Sequence, residues 1–154
     1  MTVEQVLKRF RNRGWMLATA ESCTGGGIAS ALTAVAGSSD VVDRGFVTYS
    51  NLAKTEMLGV PAALIAAEGA VSQKVAAAMA EGALARSGAQ VAIAVTGIAG
   101  PGGGSQDKPI GTVWFGLAVR ETTVTHRLVF PGDRAAVREA TVNEALRLLA
   151  NTAQ

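Results

Sequence analysis

A chain of 154 residues, 49% hydrophobic and 17% charged, has apolar material for one full core and too little length for two ordinary domains. This excludes a disordered protein and makes residues 1–154 a single domain. Its net charge of +2 is carried by dispersed Lys and Arg, aromatic residues are only 5% and there is one cysteine, which argues against a nucleic-acid binder, a disulfide framework and a multi-cysteine metal site.

The opening residues, M-T-V-E-Q-V-L-K-R-F, lack the apolar run of a signal peptide, and no apolar stretch is both long and glycine-poor enough to span a bilayer. A cytoplasmic protein without a membrane partner is expected. Residues 3–13 place Val3, Val6, Leu7 and Phe10 at helical spacing, with Lys8, Arg9, Arg11 and Arg13 mostly opposite, and Gly14 stops this helix. Trp15 to Ala20 reads as a short buried strand running into E-S-C-T-G-G-G. Gly25 to Ala34 reads as the next helix, whose three glycines cost helix stability and permit close approach of the backbone to a ligand.

After a Gly/Ser/Asp loop at 37–40, a second strand runs from about Asp43 to Tyr49. It ends in Y-S-N-L-A-K, where a short helix places Lys54 about one turn beyond the strand. Pro61 opens a connector, and residues 68–86 form a long Ala-rich helix with Val71, Val75, Ala78 and Gly82 on one face. Residues 90–96 are an apolar strand covered on both sides, and it empties into the glycine-rich T-G-I-A-G-P-G-G-G-S.

Strands from Gly111 to Val119 and from Thr122 to Phe130 are separated only by Arg120-Glu121, a spacing that makes them an antiparallel hairpin. The second alternates Thr123, Thr125 and Arg127 against Val124, His126 and Leu128, and belongs toward an edge. Asp133 caps the last helix, whose buried stripe of Val142, Ala145, Leu146 and Leu149 contains Arg138 in the second turn. Together these elements predict an α/β fold of three layers, α/β/α, with a central mixed, mostly parallel sheet ending in an antiparallel hairpin.

Three polar loops follow three apolar strands, and parallel strands would bring all three to the carboxyl edge of the sheet, where open α/β folds bind ligands. The resulting pocket holds Glu21, Ser22, Thr24, Tyr49, Asn51, Lys54 and Thr96, with backbone N–H groups from glycine-rich turns. Ser22, in a sharp strand-to-helix turn, is the candidate nucleophile. The chain's one histidine, His126, is predicted on a distant edge strand, so a Ser-His-Asp triad is disfavoured. Lys54 takes the place of the base, provided burial lowers its pKa.

Tyr49 relays a proton or orients the amine. Cys23 competes with Ser22 as nucleophile, because a helix N-terminus can lower a thiol pKa; Ser22 is preferred. Arg138 is either a bidentate clamp for a phosphate or carboxylate, or a snorkelling surface arginine. The glycine-rich runs match neither the phosphate-loop nor the dinucleotide fingerprint.

The motifs A-E-S-C-T-G-G-G-I-A at 20–29, G-x-V-x-Y-x-N-x-x-K from Gly45 to Lys54, and T-G-I-A-G-P-G-G-G at 96–104 followed by K-P-I-G-T-V-W at 108–114 resemble the C-terminal domain of the competence/damage-inducible proteins. This is the nicotinamide mononucleotide amidohydrolase family, and the resemblance covers nearly the whole chain. It implies hydrolysis of the carboxamide of nicotinamide mononucleotide to nicotinic acid mononucleotide and ammonia, in pyridine nucleotide salvage. The family's nucleophile falls on Ser22, its lysine on Lys54, its supporting tyrosine on Tyr49 and its last-helix arginine on Arg138. Thr96 and the following Gly97, Gly100 and Gly102 match its substrate loop.

On this reading the backbone around Cys23, Thr24 and Gly25 stabilises the oxyanion, and Glu21 faces the pyridinium ring. The nucleotide is the partner, with neither cofactor nor metal. Small alanine and glycine helix faces further suggest a homo-oligomer. The alternative is a non-catalytic pyridine-nucleotide binding or regulatory domain with the same pocket.

Overall fold

The computed structural model describes residues 2–154. Helix α1 (Val3–Arg13) starts at a capping box, in which the Thr2 hydroxyl accepts from the Gln5 N–H while the Gln5 side chain accepts from the Thr2 N–H, and Gly14 closes it. Strand β1 (Leu17–Glu21) is buried at every position. It leads through a turn into α2 (Gly27–Thr33), and a single 3₁₀ turn (Ser38–Asp40) then precedes β2 (Val42–Val47). Helices α3 (Asn51–Leu58), α4 (Ala62–Glu68) and α5 (Gln73–Ala85) follow, then β3 (Val91–Gly97), the hairpin β4 (Thr112–Val119) and β5 (Thr122–Val129), and α6 (Arg134–Thr152).

The sheet order is β2-β1-β3-β4-β5. Strands β2, β1 and β3 are parallel, whereas β4 pairs antiparallel with β3 and with β5, so the expected mixed sheet with its terminal hairpin is present. Residue size differs between its faces. Leu17, Ile93, Val95, Val113 and Phe115 point into the core shared with α1, α2 and α6, whereas Ala18, Ala20, Ala92, Ala94 and Ala118 face α3, α4 and α5.

The small-residue face lets α5 lie close to the sheet: a Cβ on Gly116 of β4 would collide with the backbone of Ala76. Gly82 makes the equivalent allowance on the helix's other flank, where Leu58 of α3 packs.

Three expectations are corrected here. The connector after Pro61 is itself the helix α4, with Pro61 at its N-cap. Helix α5 accordingly begins later, behind the Ser72 cap. The inner face of that helix is Val75, Ala76, Met79, Ala80, Gly82 and Ala83, because contact with a sheet covers a broader arc than the stripe first read.

The alanine and glycine faces thought to favour a homo-oligomer are thus occupied within the chain. Apolar exposure falls elsewhere, on Val124, Leu128 and Val129 of the edge strand and on Val47, Leu52 and Met57 near the opposite edge. No helix among the described residues is long and apolar enough to cross a membrane.

Candidate active site

Parallel β1, β2 and β3 end at one edge of the sheet, and the loops leaving them meet there. After Glu21 the chain turns sharply: the Ser22 N–H donates to Val95 O of the neighbouring strand at 3.1 Å, and the Gly25 N–H donates back to Ser22 O at 3.1 Å. These bonds hold the serine over the end of β3. The Glu21 carboxylate, almost wholly buried, accepts from the Thr24 hydroxyl, from the Ile28 N–H at 2.8 Å and from the Ala29 N–H at 3.0 Å. A buried carboxylate is tolerable there because it answers the unpaired N–H groups and positive end of α2.

Lys54 comes from the first turn and a half of α3, which Ser50 caps by accepting from the Ala53 N–H at 3.0 Å. Its side chain is 1% exposed, and its Nζ donates to Ser22 Oγ at 3.1 Å, to Thr48 O at 3.1 Å and to Tyr49 O at 3.3 Å. No carboxylate lies within ion-pair distance of it among the described residues. Burial without a counter-charge pushes the Lys54 pKa below the ordinary lysine value. A neutral amine in this position keeps two N–H groups for the two carbonyls and turns its lone pair to the serine hydroxyl. That is the arrangement a general base requires.

Burial acts in the opposite sense on the adjacent thiol, raising Cys23 to about 11, with the Glu21 charge adding to the effect. The thiolate is therefore scarce at neutral pH. Cys23 Sγ instead packs against Gly97, where a Cβ would stand 3.2 Å from the sulfur and 2.7 Å from a Val113 methyl. The glycine after Thr96 is a steric requirement of this contact.

A cavity of about 240 Å³ joins Ser22, Cys23, Tyr49, Asn51, Lys54, Thr96 and Gly97. Thr96 also ties its wall together, its hydroxyl donating to Ala70 O at 2.9 Å. Other sequence candidates lie elsewhere. Glu21 and Thr24 are engaged with one another and with α2, so the expectation that Glu21 faces a pyridinium ring does not hold. Gly25 shapes the turn and approaches the Arg138 guanidinium. Gly100 and Arg138 line a neighbouring cavity, whereas Gly102 is exposed and lines neither.

Arg138 donates from Nε to Cys23 O at 3.1 Å and from a terminal nitrogen to Thr24 O at 3.2 Å. It braces the serine turn from behind. Tyr49 reaches Lys54 through its carbonyl, while its hydroxyl accepts from Arg134 at 3.0 Å.

Arg134 was not singled out in the sequence, although it precedes Arg138 by one helical turn and follows the Asp133 cap. It donates also to Gly100 O at 2.8 Å, spanning the mouth of the cavity. Lys108 donates to Glu68 O at 2.7 Å and fastens the glycine-rich loop to the end of α4.

This fold and edge-of-sheet site belong to a defined class of α/β domains. The family model for the CinA C-terminal domain matches residues 1–153, and the chain belongs to that family. It is similar to a protein of Enterobacter agglomerans named nicotinamide-nucleotide amidohydrolase PncC, at 57% identity over 130 residues, covering 84% of this chain and 79% of that one. A protein of the same name from Escherichia coli K12 is 50% identical over 147 residues, covering 95% of this chain and 89% of its own. The crystal structure of the competence/damage inducible protein CihA from Agrobacterium tumefaciens superposes with a TM-score of 0.96 at 50% identity, covering 99% of this chain and 93% of that chain.

Proposed function

We propose that this chain is a nicotinamide-nucleotide amidohydrolase, which hydrolyses the carboxamide of nicotinamide mononucleotide to nicotinic acid mononucleotide and ammonia through a serine–lysine pair. Similarity to the PncC proteins supports the reaction. One observation carries the mechanism: a buried lysine with no carboxylate in ion-pair reach among the described residues, 3.1 Å from a serine hydroxyl that shares its cavity.

Lys54 takes the Ser22 proton as Oγ attacks the carboxamide carbon, and the C=O electrons move onto oxygen. The N–H groups of Cys23 and Thr24, neither engaged with a backbone carbonyl among the described residues, receive that oxyanion; a donor of this kind is typically worth about 10²–10³ in rate. The tetrahedral centre collapses, the C–N bond breaks, and the Lys54 ammonium returns its proton to the departing nitrogen, which leaves as ammonia. Water then attacks the Ser22 ester with Lys54 again accepting the proton; the C–Oγ bond breaks, Lys54 returns that proton to Ser22 Oγ, and the acid departs. No step calls for a metal or cofactor.

The deciding experiment is ammonia release from nicotinamide mononucleotide in EDTA, by wild type and by Ser22→Ala. Ammonia from the wild type and a fall of about 10⁴-fold or more in the variant are expected, the order seen when a nucleophile is removed. Binding of the nucleotide without ammonia from the wild type would sink the proposal.

A further inference from the structure

The cavity at Ser22, about 240 Å³, is smaller than the roughly 300–1,000 Å³ usual for a small-molecule site. A mononucleotide seated by its amide must therefore project beyond it. Two neighbouring spaces share its lining. Past Asn51 lies a groove of about 350 Å³ built from Leu52, Thr55, Ala62, Ile65 and Ala66, with no charged side chain. Past Ala99 and Arg134 lies a cavity of about 650 Å³ whose lining includes Arg134 and Arg138. A phosphate carries charge that the first space cannot answer.

Arg134 and Arg138 stand one turn apart on α6, and neither has a carboxylate within ion-pair distance among the described residues. Asp133, also in the lining, directs its carboxylate to its own helix, accepting from the Ala136 N–H at 2.9 Å. The two arginines are otherwise differently employed. Arg138 is turned toward the carbonyls of the serine turn, whereas Arg134 bonds an exposed phenol and a loop carbonyl at the junction of the two cavities. Each guanidinium retains further N–H donors.

We infer that Arg134 is the specificity residue for the substrate's 5′-phosphate: it receives that group in the cavity beyond Ala99, and so separates the nucleotide from its nucleoside. This rests on the amidohydrolase reading above. A planar fork at the shared wall suits a phosphate dianion, and its place at the start of α6 adds the favourable end of the helix dipole.

The test measures binding in the non-hydrolysing Ser22→Ala protein, with and without Arg134→Ala, for nicotinamide mononucleotide and for nicotinamide riboside. Loss of charged hydrogen bonds should weaken the mononucleotide about 10- to 100-fold and leave the riboside within about twofold. Inorganic phosphate should compete with the mononucleotide only where Arg134 is present, and Arg134→Lys should recover part of the affinity. Equal weakening of both ligands, or of neither, overturns the inference, as does phosphate competition that survives Arg134→Ala. Ammonia release by the wild type reports separately on the amidohydrolase reading, so the two can fail independently.

Discussion

Lys54 Nζ lies 3.1 Å from Ser22 Oγ across 32 positions of sequence, at the meeting point of the turn after β1 and the helix after β2. Because burial holds the lysine pKa down, the fraction of neutral amine, and with it kcat/KM, should rise with pH through a limb lying below the ordinary lysine value of about 10.4. A pH–rate profile checks this. A profile with no such limb anywhere below that value would exclude Lys54 as the titrating base. Lys54→Met should lose about 10²–10⁴-fold in kcat, the usual contribution of a positioned base.

The same shift has a consequence for stability. A lysine whose folded pKa is depressed binds fewer protons folded than unfolded, so stability rises with pH between its lowered folded pKa and about 10.4. Denaturant titrations should show wild type gaining on Lys54→Met as pH rises through that window. A difference independent of pH would contradict the cause assigned to the shift.

Cys23 should be chemically quiet. A thiol raised to about 11 is thiolate in only about one molecule in 10⁴ at pH 7. Alkylation of the folded protein at neutral pH should be slow, and Cys23→Ala should retain activity within about tenfold, since it removes packing at the cavity wall and no reacting group. Loss comparable to Ser22→Ala would transfer the nucleophile's role to Cys23.

Arg138→Ala should act through the turn it braces. Freeing the Cys23 and Thr24 carbonyls lets the Ser22 backbone shift, and displacement of about 1 Å can cost about 10²-fold. The loss should fall on kcat for the mononucleotide and the riboside alike, unlike the ligand-selective loss expected of Arg134→Ala. Arg138→Lys should rescue little, because an ammonium cannot reproduce the fork that spans two carbonyls.

Gly116→Ala tests the layer contact on which the site is mounted. The added methyl collides with the Ala76 backbone, and overpacking of this kind costs about 1–3 kcal/mol. For a chain of this size that lowers Tm by several degrees, at about 2–4 °C per kcal/mol. An unchanged Tm would mean that α5 moves off the sheet at little cost.

Much of this was legible in one dimension. Hydrophobic periodicity predicted α1, the buried strands and the hairpin, since burial of one face or of both leaves its period in the residues. Pro61 reads as the start of a connector, yet the run A-A-L-I-A-A-E behind it consists largely of good helix formers, and proline suits a helix start. Ser22 and Lys54 could be nominated as site residues from the loops that carry them.

The chain by itself thus determined the elements, their order and the loops bearing reactive side chains, because propensity, capping and turn chemistry act over a few residues. Only the tertiary structure decided which of those side chains meet. It turned Glu21 into α2 and away from the cavity, set Arg138 behind the serine turn, brought Arg134 to the cavity wall and left Lys54 without a counter-ion among the described residues. Direction, burial and the absence of a neutralising neighbour are properties of packed layers, and these control which hydroxyl can be deprotonated.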